Sequence, residues 1–216
     1  MAREYFTELN DELLLELIQK SLINAQTLID DGDLLLENGR YPRASVLYQL
    51  ANEESGKALL SYLPLLFHYK DYLNHLEEFN VVFFDHIKKS KKSTAADFFL
   101  AQILYKGQPE KMMDFLEKRK GVLGNMTVNE LNEMKNFSLY TSLRNKKVVI
   151  PFQLITESTA TNMQLTAKWR HRWIKGATEF SGPHLLELRK YMEENPIDRE
   201  KYAKELAEEI FGKIEE

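Results

Sequence analysis

Two long helical-period patterns joined by a short turn constrain this chain more than any other feature. From about Thr7 to Asn38, the residues Leu13, Leu14, Leu17, Ile18, Leu22, Ile23, Leu28 and Ile29 recur at three-to-four spacing, as on one side of an α-helix. Asn38-Gly39 ends the pattern, because glycine takes the left-handed conformation that closes a helix. A second helix starts at Pro42, whose fixed φ and missing N–H suit a first turn, and runs to at least Leu63. Helices with so short a connection pack antiparallel. The chain is therefore built on a helical hairpin, and the remaining sequence has to cover it.

The covering elements also read as helices. Pro64 is expected to kink or end the second helix, since it cannot donate to the preceding turn. A third helical segment spans roughly Tyr72 to Lys106, with a candidate interruption near Ser90 to Ser93. Gly107 to Pro109 and Gly121 to Gly124 bracket a shorter helix over Glu110 to Lys120, and Thr127 with Glu130 resembles a capping box for the next. Periodicity fails from Phe137 to Pro151. There Leu139, Tyr140, Val148, Val149 and Ile150 are β-prone around a turn at Arg144-Asn145-Lys146, so a small hairpin or an extended loop is expected. Helical patterns return over Phe152 to Phe180, Pro183 to Met192 and Asp198 to Ile214. The fold class is all-α: a helical bundle with an irregular or β-hairpin excursion near 137–151. Residues 1–192 form the body, and 193–216 form an acidic C-terminal helix packed on that body or on a second subunit.

Composition sets the class of partner. Hydrophobic residues at 44% and charged residues at 29% of 216 support a folded core. The chain has no cysteine, which removes disulfides and thiolate zinc sites and fits a cytoplasmic protein. The amino terminus lacks the basic-then-apolar order of a secretory signal, and no apolar run approaches the roughly 18 to 20 residues that span a bilayer, so no membrane partner is expected. The net charge of −4 is uneven: residues 193–216 hold nine acidic and four basic side chains, leaving the rest near +1. Any contact with a polyanion has to be local. Within that acidic tail Tyr202, Leu206, Ile210 and Ile214 recur every four residues, as in an amphipathic helix.

Three segments carry candidate chemistry. At 100° per residue, Leu47, Ala51, Glu54 and Ala58 fall in one sector of the second helix, which sets Glu54 in an apolar stripe where a carboxylate has to be paired or functional. Glu53 and Lys57, four apart, fall toward the polar side as an intrahelical ion pair. Gly56-Lys57 is no phosphate loop, because Ala51 stands five before the glycine and Ala58 follows the lysine. On the third segment Phe79, Phe83 and His86 share a face, followed by Lys88, Lys89, Lys91 and Lys92. An imidazole beside a basic run can move protons next to a bound phosphate; the alternative is a core histidine beside a solvated basic face. The third segment is Lys168-Trp169-Arg170-His171-Arg172-Trp173-Ile174-Lys175. Its Arg170, Arg172 and Trp173 are a candidate secondary surface for RNA or a partner, against the alternative that the tryptophans are core. The chain lacks Glu-x-x-His, His-Glu-x-x-His, Gly-x-Ser-x-Gly and Gly-x-Gly-x-x-Gly, so no metal and no cofactor is expected.

Taken in order, Glu37-Asn38-Gly39-Arg40-Tyr41-Pro42-Arg43-Ala44, Ala51-Asn52-Glu53-Glu54-Ser55-Gly56-Lys57-Ala58, Phe83-Phe84-Asp85-His86-Ile87-Lys88-Lys89 and Ser138-Leu139-Tyr140 with Pro151 resemble the AbiV family of abortive-infection proteins. That family belongs to the HEPN superfamily of helical ribonucleases and nucleotide-binding domains. The resemblance covers roughly Leu9 to Thr166, and Glu-Glu-x-Gly-Lys-Ala is its most specific piece. It implies a HEPN-like bundle that forms a homodimer, RNA as the target, phage infection as the trigger and a phage-encoded protein as activator. HEPN ribonucleases carry arginine, four to six residues, then histidine; here no arginine stands at that spacing, and Asn80 occupies the comparable place before His86. The function implied is an infection-triggered, metal-independent endoribonuclease that shuts down translation or growth. In that mechanism His86 would act as general base or acid, Glu54 would orient the imidazole or a lysine, Lys89 or Arg40 would stabilise the phosphorane, and Lys57 completes the candidate catalytic set. Arg40, Arg43, Lys88, Lys91 and Lys92 hold the RNA. The alternative is a non-catalytic HEPN module that binds a phage or host protein, or RNA.

Overall fold

Asn10 starts the first helix: its side-chain oxygen accepts from the Leu13 N–H at 2.9 Å, satisfying one of the donors left open at a helix start. The computed structural model describes residues 5–66, 76–85, 108–123, 128–181 and 194. Helix α1 spans Asp11–Glu37 and closes as its sequence requires. Gly39 adopts φ 68°, its N–H bonds to the Leu36 carbonyl at 3.0 Å, and the Arg40 N–H reaches back to Leu35 at 2.8 Å. These paired bonds satisfy two carbonyls that would otherwise be orphaned. Helix α2, Tyr41–Leu66, follows at once and packs antiparallel to α1. The two approach closely at Gly32, where an added Cβ would lie 2.7 Å from the Tyr48 ring.

Helix α2 does not end at Pro64 but continues to Leu66. The position falls in the last turn, where the missing donor removes one hydrogen bond and little helix depends on it. Helix α3 is Leu76–Phe84, and α4, Pro109–Leu123, runs through Gly121 rather than stopping before it. A helical glycine costs about 1 kcal/mol relative to alanine, which packing can override. Helix α5, Val128–Leu139, takes Phe137 and Leu139 out of the β-prone stretch. The remainder of that stretch is the hairpin. Strand β1, Ser142–Arg144, pairs antiparallel with β2, Lys147–Val149, around Asn145 and Lys146 at φ 48° and 63°. Both turn residues are left-handed, as the twist of a two-residue hairpin demands. A 3-10 turn at Pro151–Gln153 leads into α6, Glu157–Ser181.

Helix α6 lies alongside α2 and runs the same way. Near their starts the Tyr41 hydroxyl donates to Glu157 at 3.2 Å. Farther along, Ala44, Tyr48 and Ala51 share an apolar cluster with Met163 and Ala167, as well as Ile29 of α1 and Leu131 of α5. Toward their ends Ala58, Leu59 and Leu60 share a second cluster with Trp173 and Ile174, together with Leu14, Ile18 and Leu22 of α1 and Phe79 and Phe83 of α3. Phe6 enters the second cluster, with ring centroids 5.6 and 5.0 Å from Phe79 and Phe83. Asn80 secures it: its Nδ2 donates to the Phe6 carbonyl and its Oδ1 accepts from the Phe6 N–H, both at 2.9 Å.

The structure bears out the all-α class, with the small sheet as the excursion near 137–151. Most of the expected third segment, Thr127, the helix over Pro183 to Met192 and the tail helix over 193–216, apart from Glu194, lie outside the described residues. Among the described residues no helix is long and apolar enough to cross a membrane.

Candidate functional site

Helix α2 touches α1, α5 and α6, so it buries side chains around most of its circumference. Its described side chains that are not buried are Tyr41, Arg43, Leu47, Leu50, Glu54 and Lys57. The last five step by four, three, four and three, which makes one stripe along the helix. Consequently the two adjacent glutamates part company. Glu53 is 2% exposed and accepts from Lys135 Nζ of α5 at 2.9 Å. Glu54 lies on the open stripe and pairs with Lys57 at 2.5 Å. This differs from the sequence expectation in the pairing, which matched Glu53 with Lys57; Glu54 is a mostly buried and paired carboxylate as expected, and Glu53 lies deeper still. The reason is geometric: a helix packed on several sides has no single buried face, and the arc that α5 covers takes in Glu53.

Lys57 also reaches α3, with Nζ 5.4 Å from the centroid of the Phe83 ring, where the ring face attracts a cation. The α2 pair and the end of α3 therefore meet at one place. His86, Lys88, Lys89, Lys91 and Lys92 lie outside the described residues. Arg40 and Arg43 are exposed at the opposite end of α2. Fourteen residues separate Arg40 from Glu54, and as many separate Arg43 from Lys57, each about 21 Å at 1.5 Å per residue. Within one chain, then, Arg40 does not share a phosphate with Glu54.

The Lys168 to Lys175 segment divides. Arg170 is 2% and Trp173 3% exposed, whereas Arg172 faces solvent. Residues 163, 167, 170 and 174 of α6 fall on the face turned to α1 and α2, and that face takes Arg170 inward with Met163, Ala167 and Ile174. Arg170, Arg172 and Trp173 therefore form no common surface within the chain. Trp169 is partly buried, its ring 6.1 Å from Phe115 of α4.

Arg170 and its neighbour His171 belong instead to a polar belt between the two apolar clusters. On α2 the residues between Ala51 and Ala58 include Asn52, Glu53 and Ser55, all nearly inaccessible; on α6 those between Ala167 and Trp173 include Arg170 and His171. Arg170, His171 and Glu53 are all engaged by their surroundings. The Asn52 Oδ1 and Ser55 Oγ atoms are buried without a hydrogen-bond partner. A charge so placed is tolerated only when paired, which is what Lys135 does for Glu53.

A further cluster lay beyond the sequence reading. Asp33 of α1 accepts from the Tyr48 hydroxyl at 2.8 Å, from Gln164 Nε2 at 2.6 Å and from Lys168 Nζ at 2.6 Å, tying α1, α2 and α6 together. Partial burial alone would raise the Asp33 pKa; the Lys168, Gln164 and Tyr48 donors outweigh it and hold the carboxyl below its usual range. Burial, reinforced by the Asp33 carboxylate, pushes the Tyr48 phenol up, so it stays a donor. The available signal was Gly32, a glycine inside a strong helical pattern, which marks a close approach. Among the described residues no group of three or more histidine, cysteine or acidic side chains is placed to hold a metal ion.

The fold and these clusters can be set beside known proteins. A family model described as AbiV, of the HEPN type, matches residues 13–171, from the first turn of α1 to the polar belt on α6. No curated protein and no solved structure matches the chain.

Proposed function

The chain belongs to the AbiV family of HEPN proteins, and on that premise we propose that it is a cytoplasmic phage-defence protein that acts as a homodimer and arrests the infected cell by cutting RNA. The observation that supports this reading is the half-open stripe of α2, which carries an acid, a lysine, an arginine and two leucines, whereas the other described side chains of the helix, Tyr41 apart, are buried. Arg43 and Lys57 stand seven residues either side of Leu50. Two copies of α2 crossing antiparallel at Leu50 would set the partner's Arg43 beside the Glu54 and Lys57 pair, adding a second cation to Lys57.

The chemistry follows from those groups. His86 takes the proton from a ribose 2′-hydroxyl as it attacks the adjacent phosphorus, or returns one to the departing 5′-oxygen. Lys57, Lys89 and the partner's Arg43 balance the charge that builds on the phosphorane, and Glu54 holds Lys57 in place. Lys88, Lys91 and Lys92 bind flanking phosphates. A phage-encoded activator is the proposed trigger. The experiment is purified full chain with cellular RNA, with and without extract of phage-infected cells. Wild type should cleave, while His86→Ala and Glu54→Ala should lose at least tenfold. Equal cleavage by all three would remove these residues from the mechanism.

One observation favours a second reading. Asn80, in the place comparable to the arginine of HEPN ribonucleases, has its amide engaged by the Phe6 backbone and serves structure. A non-catalytic module that blocks a phage or host component by binding would need no residue there. Full protection by a His86→Ala strain, with intact RNA in infected wild-type cells, would establish that reading.

A further inference from the structure

The hairpin between α5 and α6 has its amphipathic sides inverted. Ser142 pairs with Val149 and Leu143 with Val148. Strand alternation thus puts Leu143, Val148 and Ile150 on one side and Ser142 and Val149 on the other. On a surface ribbon the apolar side is expected to face the body. Here the Ser142 hydroxyl is buried, while Leu143 and Val148 are each 72% exposed and Ile150 is 50% exposed. Tyr140 and Phe152, also exposed, flank them. Elsewhere among the described residues exposed apolar side chains such as Ile23 and Met113 are scattered. Scattered ones are ordinary, whereas a contiguous group calls for a cover.

Charge narrows what the cover is. No acidic residue occurs between Glu133 and Glu157, and Arg144, Lys146 and Lys147 stand at the hairpin tip. A second copy meeting hairpin to hairpin would oppose like charges. Residues 193–216 are complementary in both respects: they hold nine acidic against four basic side chains, with Tyr202, Leu206, Ile210 and Ile214 in one helical stripe. The distance is also within reach. Helix α6, 25 residues, is about 37 Å long and has the hairpin at its start. Read as helices, Pro183 to Met192 and residues 193–210 would run back about 15 Å and about 27 Å, together about the length of α6.

We propose that residues 193–216 form an amphipathic helix that folds back within the same chain and lays Tyr202, Leu206, Ile210 and Ile214 on Leu143, Val148 and Ile150, with its carboxylates around Lys146 and Lys147. Because the chain has no cysteine, proximity can be read directly. Full-length protein carrying Val148→Cys with Ile210→Cys is oxidised mildly and compared with Ile23→Cys with Ile210→Cys, which uses an exposed apolar position on α1. The 148–210 disulfide should form within single chains at least tenfold faster than the 23–210 one. Adding Lys146→Glu and Lys147→Glu should slow it several-fold. Equal rates for the two pairs would overturn the proposal. A crosslink that joins only two chains would also overturn it and assign the surface to a second copy; no crosslink would leave it to another partner.

Discussion

Glu53 and Glu54 are neighbours in sequence and differ by 100° of helix rotation, yet they occupy opposite environments. The first is sealed inside the polar belt against Lys135 of α5; the second sits on the open stripe against Lys57 of its own helix. The inner pair crosses between helices at a site nearly closed to solvent, where a buried charge has to be compensated by its neighbours. The outer pair is local and keeps a small share of its surface in solvent, 19% for Lys57 and 15% for Glu54, which leaves it a side from which to meet a substrate or a second subunit. The comparison teaches that an ion pair's position relative to solvent, more than its length, separates a structural role from a functional one.

The sharpest way to break the comparison is to remove one inner partner. Lys135→Met should cost about 2 to 3 kcal/mol by removing one charged partner of the buried Glu53 carboxylate, measured by chemical denaturation. Replacing both members, as Glu53→Leu with Lys135→Met, should recover most of that loss; an equally unstable double variant would show that Glu53 does more than face Lys135. Next in size is the Asp33 cluster, where Asp33→Asn should cost about 1 to 2 kcal/mol at neutral pH. Its pH dependence has a definite sign. The folded-state pKa of Asp33 is depressed below the usual 3.8, so its contribution is fully present above that value and lost as pH falls through the folded pKa. Stability of Asp33→Asn should therefore fall less steeply than wild type between about pH 5 and pH 2. The outer pair should matter least to folding: Lys57→Ala should cost about 1 kcal/mol, through its ion pair and its contact with the Phe83 ring.

How far the sequence disclosed this molecule can be judged at the same residues. The α1–α2 hairpin was legible because Asn38-Gly39 interrupts two periodic runs, and backbone conformation at Gly39 is a local matter. The hairpin turn at Asn145 and Lys146 was legible for the same reason. The pairing of the two glutamates was misassigned because burial on α2 is decided by α5 and α6, which arrive from more than 70 and 100 residues away. Arg170 went inward for a related reason, since one helical face had to serve both apolar clusters and the belt between them. Of the candidate site, Glu54, Lys57 and Phe83 come together as the helical spacing allowed, whereas Arg40 and Arg43 lie at the other end of α2.

The most direct test of the division between inner and outer acids is protection of living cells. Strains producing matched amounts of wild type and Glu54→Gln are challenged with a phage that wild type restricts, and plaques are counted. The account predicts that Glu54→Gln protein is as stable and abundant as wild type but loses protection by at least tenfold. Full protection by Glu54→Gln would contradict it, because the open stripe would then carry no function.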